Sequence, residues 1–141
     1  MSATADGPAD AVLARRLGIV AGQVVQEFGW DDDVDDEVRV MIEDAVDGEL
    51  VEEAVEPVDL VLLWWRDSDG DLVDGLVEAL PDLTDSGYIW LMTPKVGRDG
   101  YVDAVDLAEA AVTAGLAQTT TATVSADWAA TKLVRPKGSR R

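Results

Sequence analysis

The sequence predicts a three-layer α/β domain, in which a mostly parallel β-sheet is covered by helices on both faces and closed by a carboxyl-terminal antiparallel hairpin. Three observations lead there. Short apolar runs alternate with amphipathic segments, the pattern of successive β-α-β units. The run VDLVLLWW, residues 58–65, is apolar on both faces, as a central strand buried on each side must be. The last two β-rich stretches, LAQTTTATVS and WAATKLVR, are joined only by Ala126-Asp127, a link too short for a crossover, so they must pair antiparallel.

Taken in order, ADAVLARRLG reads as a short helix from Asp10 to Leu17 that Gly18 stops. A turn at Ala21-Gly22 leads into a first strand, Gln23 to Phe28, ended by Gly29. In DDDVDDEVRVMIEDAVDG, Asp33 is positioned to cap a helix with Asp36 three residues on; Val34, Val38, Met41, Ile42, Ala45 and Val46 share one face, and Gly48 closes it. ELVEE suggests a short edge strand. After the central run, Asp69-Gly70 makes a turn, and Asp71 caps a helix with the stripe Leu72, Val73, Leu76, Val77 and Leu80, which ends at Pro81. A buried strand follows from Tyr88 to Met92, broken by Pro94, and then an alanine-rich helix from Asp103 to Ala114 with Gly115 at its stop. At 141 residues this is one domain. Its expected limits are residues 18–135, preceded by an arm and short helix over 1–17 and followed by a basic tail over 136–141.

Composition excludes several chemistries. The chain has no cysteine and no histidine, which removes disulfides, thiolate nucleophiles, Ser-His triads and imidazole metal sites. Catalysis would have to use carboxylates, Lys, Tyr, Ser or a bound cofactor, and a non-catalytic role is favoured. A formal charge of −18 repels nucleic acid and anionic membranes and favours basic protein partners. No apolar run nears the roughly 18 residues that span a bilayer, and MSATADGPAD lacks signal character, so a cytoplasmic location is expected.

Two groups of residues are candidates for a site. Asp67, Asp69, Asp71 and Glu78 fall on EF-hand positions 1, 3, 5 and 12, but Leu72 stands where the loop needs glycine, and a buried strand precedes it in place of a helix. At most weak Ca²⁺ or Mg²⁺ binding by Asp67, Asp69 and Asp71 is expected. The second group lies at the strand ends. Ligands of open α/β sheets bind beyond the carboxyl ends of the strands, where Gly29-Trp30, Trp65-Arg66 and Thr93-Pro94-Lys95 come together. Trp64 and Trp65 leave the central strand on opposite faces. Arg66 and Lys95 offer cations to a small anionic ligand, with indole rings as a wall.

The lead LGIVAGQVVQEFGW resembles the first strand of S-adenosylmethionine-dependent methyltransferases, with Glu27 and Gly29 matching the start of the E/D-x-G-x-G loop. Trp30 and Asp31 replace the residues through which that cofactor approaches the backbone, and a single helix-strand step separates this strand from VDLVLLWW. The set VVQEFGWDDDVDD, VDLVLLWWRDSDGDLVDGL, IWLMTPK and SADWAATKLVR is similar to a family of small acidic actinobacterial proteins known as a domain of unknown function, over residues 10 to 136. That resemblance implies a compact, Rossmann-like, methyltransferase-like fold. The leading expectation is therefore a binding or regulatory module acting through the carboxyl rim of its sheet or its acidic face, with Glu27, Gly29, Trp30, Trp65, Arg66 and Lys95 at the ligand site. No cofactor is expected under that reading. The alternative is a reduced methyltransferase in which Glu27, Gly29 and Trp30 line an S-adenosylmethionine site, and a third reading is a homodimer through an exposed edge strand.

Overall fold

A computed structural model describes residues 13–136. The part of the expected arm before residue 13 and the basic residues from 137 onward lie outside this span, as do the first three of the eight residues of the expected Asp10–Leu17 helix. A helical turn over residues 13–16 is its described remainder.

Five strands form one sheet: β1 (Val25–Phe28), β2 (Val58–Trp64), β3 (Leu83–Pro94), β4 (Ala117–Thr123) and β5 (Trp128–Val134), in the order β1-β2-β3-β5-β4. The first three run parallel, and β5 is antiparallel to both β3 and β4. This is the expected architecture, with the doubly apolar run at β2. Register puts Phe28 beside Leu63 and Leu63 beside Leu91, so β1, β2 and β3 end on a common rim. At the other edge, β4 presents the uncharged sequence AQTTTAT.

Alternation along β2 divides the core into two layers. Leu60, Leu62 and Trp64 pack with Trp90, Trp128 and helix α1 (Asp36–Val46) on one face. Val61 and Leu63 pack with Ile89, Leu91, Leu133 and helices α2 (Leu72–Glu78) and α3 (Ala104–Thr113) on the other. Trp64 and Trp65 do diverge: the first is fully buried under α1, and the second is half-buried over α2. Gly75 of α2 lets that indole approach, since a β-carbon there would stand 2.5 Å from the Trp65 ring.

The structure corrects several local expectations. Asp35, not Asp33, caps α1, accepting from the amides of Glu37 and Val38. Asp47, in the left-handed region at φ 60°, closes the helix in place of Gly48. ELVEE forms a single parallel bridge, Val51 to Gln26, and not a strand. Val77 is exposed because α2 ends one residue later and only its Leu72, Gly75 and Leu76 face the sheet. β1 begins at Val25, two residues later than expected, and β3 begins at Leu83, five residues earlier, with an irregular step between its Val58–Leu83 and Leu60–Tyr88 pairs. Asp71 caps α2 as expected, and Asp103, read as the first residue of its helix, is the cap of α3.

Candidate functional site at the carboxyl rim

The crest between β1 and β2 is built around Arg66. Gly29 follows β1 with φ +78°, and a β-carbon on it would lie 2.2 Å from the Trp64 carbonyl oxygen; only glycine lets these two chain segments touch. Beneath that contact the Arg66 side chain turns back into the fold and is 8% exposed. Its Nε donates to Asp33 Oδ2 at 3.0 Å and its Nη2 to Asp33 Oδ1. Its Nη1 donates to the carbonyl of Gly29 at 2.7 Å, and more weakly to the Trp64 carbonyl and Asp69 Oδ2. The guanidinium carbon also stands 5.4 Å from the centre of the Trp128 ring.

The same chain of contacts continues sideways. Trp128 Nε1 donates to the Asp33 carbonyl at 3.1 Å, and its ring meets Trp64 edge-on with centres 4.9 Å apart. Trp64 Nε1 donates to Glu27 Oε2 at 2.8 Å, and Glu27 receives Arg39 through both carboxylate oxygens at 2.7 and 2.8 Å. Burial works against the charge of Arg66, but the hydrogen bonds and charge of Asp33, then of Asp69, outweigh it and raise the guanidinium above its ordinary value. Arg39 is likewise raised, mainly by its hydrogen bonds to Glu27. The hydrogen bond from Arg66 is the main influence holding Asp33 below the ordinary aspartate value.

These contacts change how the expected site residues are read. Glu27, Gly29 and Arg66 do come together, but each is turned toward another part of the protein. Arg66 has its charge met by Asp33 and Asp69, so it serves as an internal brace. Trp30 is exposed just beyond Gly29. Trp65 lines a separate hollow of about 330 Å³ between α2 and α3, and Lys95 lines a groove on that same face of the sheet, so the six residues do not form one pocket. Asp67, Asp69 and Asp71 do not converge either. Asp69 accepts from the Arg66 amide and Asp71 from the Val73 amide, and among the described residues no three acidic side chains are grouped to hold a metal ion. The strictest EF-hand requirement, glycine after the third aspartate, is the one this chain lacks.

Above the brace lies a cleft of about 530 Å³, lined by Asp33, Asp99, Asp127, Arg98, Pro94 and Trp128 among others. Arg98 pairs with Asp127 at 3.1 Å. Sequence reasoning read Asp33 as a helix cap and passed over Asp127, because charge alone does not tell where either carboxylate points. Arg39 did carry one: it is the only basic residue between Asp31 and Asp59.

The sheet order and the closing antiparallel hairpin define a methyltransferase-like α/β fold. A methyltransferase from Streptomyces caelestis shares it with a TM-score of 0.56 at 10% identity, over 89% of this chain and 88% of that one. An S-adenosylmethionine-dependent methyltransferase from Aquifex aeolicus does so with a TM-score of 0.53 at 13% identity, over 89% of each chain. The chain itself belongs to the family described as protein of unknown function DUF3052, which it matches over residues 14–137. An uncharacterized protein of Mycobacterium tuberculosis is 51% identical over 125 residues, 88% of this chain and 78% of that protein.

S-adenosylmethionine does not fit the residues at the rim. The position from which a glycine loop would face the cofactor instead abuts the Trp64 carbonyl, Arg66 fills the crest between β1 and β2, and a tryptophan follows Gly29. Among the described residues, no helix is long and apolar enough to cross a membrane.

Proposed function

We propose that this protein is a non-catalytic binding module that receives a basic segment of a partner protein on its acidic carboxyl rim. One observation carries this reading: the rim cleft is lined by Asp33, Asp99 and Asp127, while Arg98, the cation beside them, is already paired and Arg66 is sealed below. A cationic side chain entering there meets Asp99, which has no ion-pair partner among the described residues, and competes with Arg98 for the half-exposed carboxylate of Asp127. Exposed Trp30, followed by Asp31 and Asp32, offers a ring face for a second cation. The overall charge of −18 steers such a partner toward the molecule.

Titrating the protein with a lysine- and arginine-rich peptide, against a glutamate-rich peptide of equal length, tests the reading. Binding of the basic peptide should weaken steeply with salt and fall about tenfold in a variant carrying Asp99→Lys and Asp127→Lys. Equal binding by that variant and the parent protein would refute a role for the rim. The fold supports a second reading, a reduced methyltransferase, and equilibrium titration with S-adenosylmethionine separates the two. Micromolar affinity would favour the enzyme, and the closed crest leads us to expect none.

A further inference from the structure

The groove that holds Lys95 differs in character from the rest of this acidic molecule. It lies on the α2 and α3 side of the sheet, where α3 packs with Leu91 of β3 and Leu133 of β5 while most of β4 stays exposed. Strand register explains its floor. Thr131 of β5 stands between Leu91 of β3 and Thr121 of β4, and one step toward the rim Ala129 stands between Thr93 and Thr123. The small Ala129 leaves a depression, which Leu107, Val102 and Tyr101 wall on the helix side and Lys95 borders at the mouth. Its volume, about 590 Å³, is that of a small-molecule site.

Three features independently indicate what would occupy it. None of the fifteen lining residues is Asp or Glu, in a chain where these make up 29 of 141 residues. Lys95 makes no ion pair among the described residues, whereas Arg39, Arg66 and Arg98 each face a carboxylate. Thr93 and Thr131 are only 6% and 5% exposed, yet neither hydroxyl has a hydrogen-bond partner among the described residues. No enclosed polar side-chain atom among those residues is left unsatisfied, so both hydroxyls must open onto the groove.

We propose that this groove binds a small amphipathic carboxylate. Its apolar body lies against Leu107, Val102 and the Tyr101 ring, its carboxylate pairs with the Lys95 ammonium, and a polar substituent meets the hydroxyls of Thr93 and Thr131. Arg98, which also lines the groove, is already paired with Asp127, which leaves the Lys95 ammonium as the cation for one negative charge; a phosphate, with nearly two, would face the field of an anionic protein with too little free positive charge to hold it. The groove adjoins the acidic cleft, with Pro94 and Arg98 lining both, but its proposed ligand does not depend on the reading of the rim.

The test uses the isotope-labelled full chain, titrated with phenylacetate and hexanoate and, as neutral controls, phenylacetamide and hexanamide. Amide resonances of Leu107, Thr121, Ala129 and Thr131 should move and saturate, with each acid bound about tenfold more tightly than its amide. Lys95→Met should abolish that preference while leaving the other resonances in place, and Lys95→Arg should retain it. Thr131→Val, nearly isosteric, should reduce the affinity for 4-hydroxyphenylacetate more than for phenylacetate. Equal binding of acid and amide, unchanged acid affinity in Lys95→Met, shifts that map to another surface, or no saturable shift with any probe would each overturn the proposal.

Discussion

Asp33 and Arg66 are 33 residues apart in sequence, and Arg66 grips both oxygens of the Asp33 carboxylate with two of its nitrogens. The pair joins the loop after β1 to the end of β2. It therefore fixes the geometry of the rim.

Removing the cation should cost more than removing the anion. Arg66→Met leaves the buried Trp64 carbonyl and the partly buried Gly29 carbonyl without their donor and Asp33 without its partner, and should lower stability by about 3 kcal/mol. Asp33→Asn keeps one acceptor on a half-exposed residue and should cost about 1 kcal/mol. Urea denaturation midpoints of the two variants check the order.

Two glycines separate steric from conformational strain. Gly29→Ala puts a methyl group 2.2 Å from the Trp64 oxygen at a positive φ, and should cost about 3 kcal/mol or more. Gly22→Ala has a similarly positive φ but nothing within 4 Å, and should cost only about 1 to 2 kcal/mol. Equal losses in thermal unfolding would remove the close approach of Gly29 to Trp64 as the reason for glycine there.

Acid should loosen the rim. Asp33 has a folded pKa below its unfolded value, so it binds protons less readily in the folded state. Its contribution is present in full above the ordinary value of 3.8 and is lost as pH falls through the lower folded value. The carboxylate is about half exposed, so the effect is modest, and Arg66→Met should flatten this part of the stability profile. Denaturation midpoints measured from neutral pH downward would show whether it does.

Asp69 should act as a brace and not as a calcium ligand. Asp69→Ala removes the acceptor of the Arg66 amide and should cost about 1 kcal/mol. The loss should be the same in chelator and in excess calcium. A calcium-dependent difference in melting temperature would reinstate the metal reading.

The layers of the fold were legible because they rest on local pattern. VDLVLLWW announces a strand buried on both sides, and Asp71 and Asp103 stand directly before apolar stripes. Where the pattern is degenerate, it misleads. In DDDVDD several aspartates can cap a helix; Asp35 does so, while Asp33 is held by Arg66 from far along the chain. The strand was expected only from Tyr88, yet β3 begins at Leu83, which pairs with Val58 because the edge of β2 is there to receive it. The rim suffered in the same way. Proximity of Gly29, Trp65, Arg66 and Lys95 at strand ends was predictable, but the direction of each side chain was not, and direction decides whether a cation faces a ligand or a neighbouring aspartate.

The outer edge of β4 bears on the behaviour of many copies together. Its seven residues carry no charge and no proline, so its free amides and carbonyls form a template to which another strand could add. Repulsion between acidic surfaces, at a formal charge of −18, opposes that addition. Where acid or concentrated salt quenches that repulsion, the threonine edge is the place from which fibrils would grow.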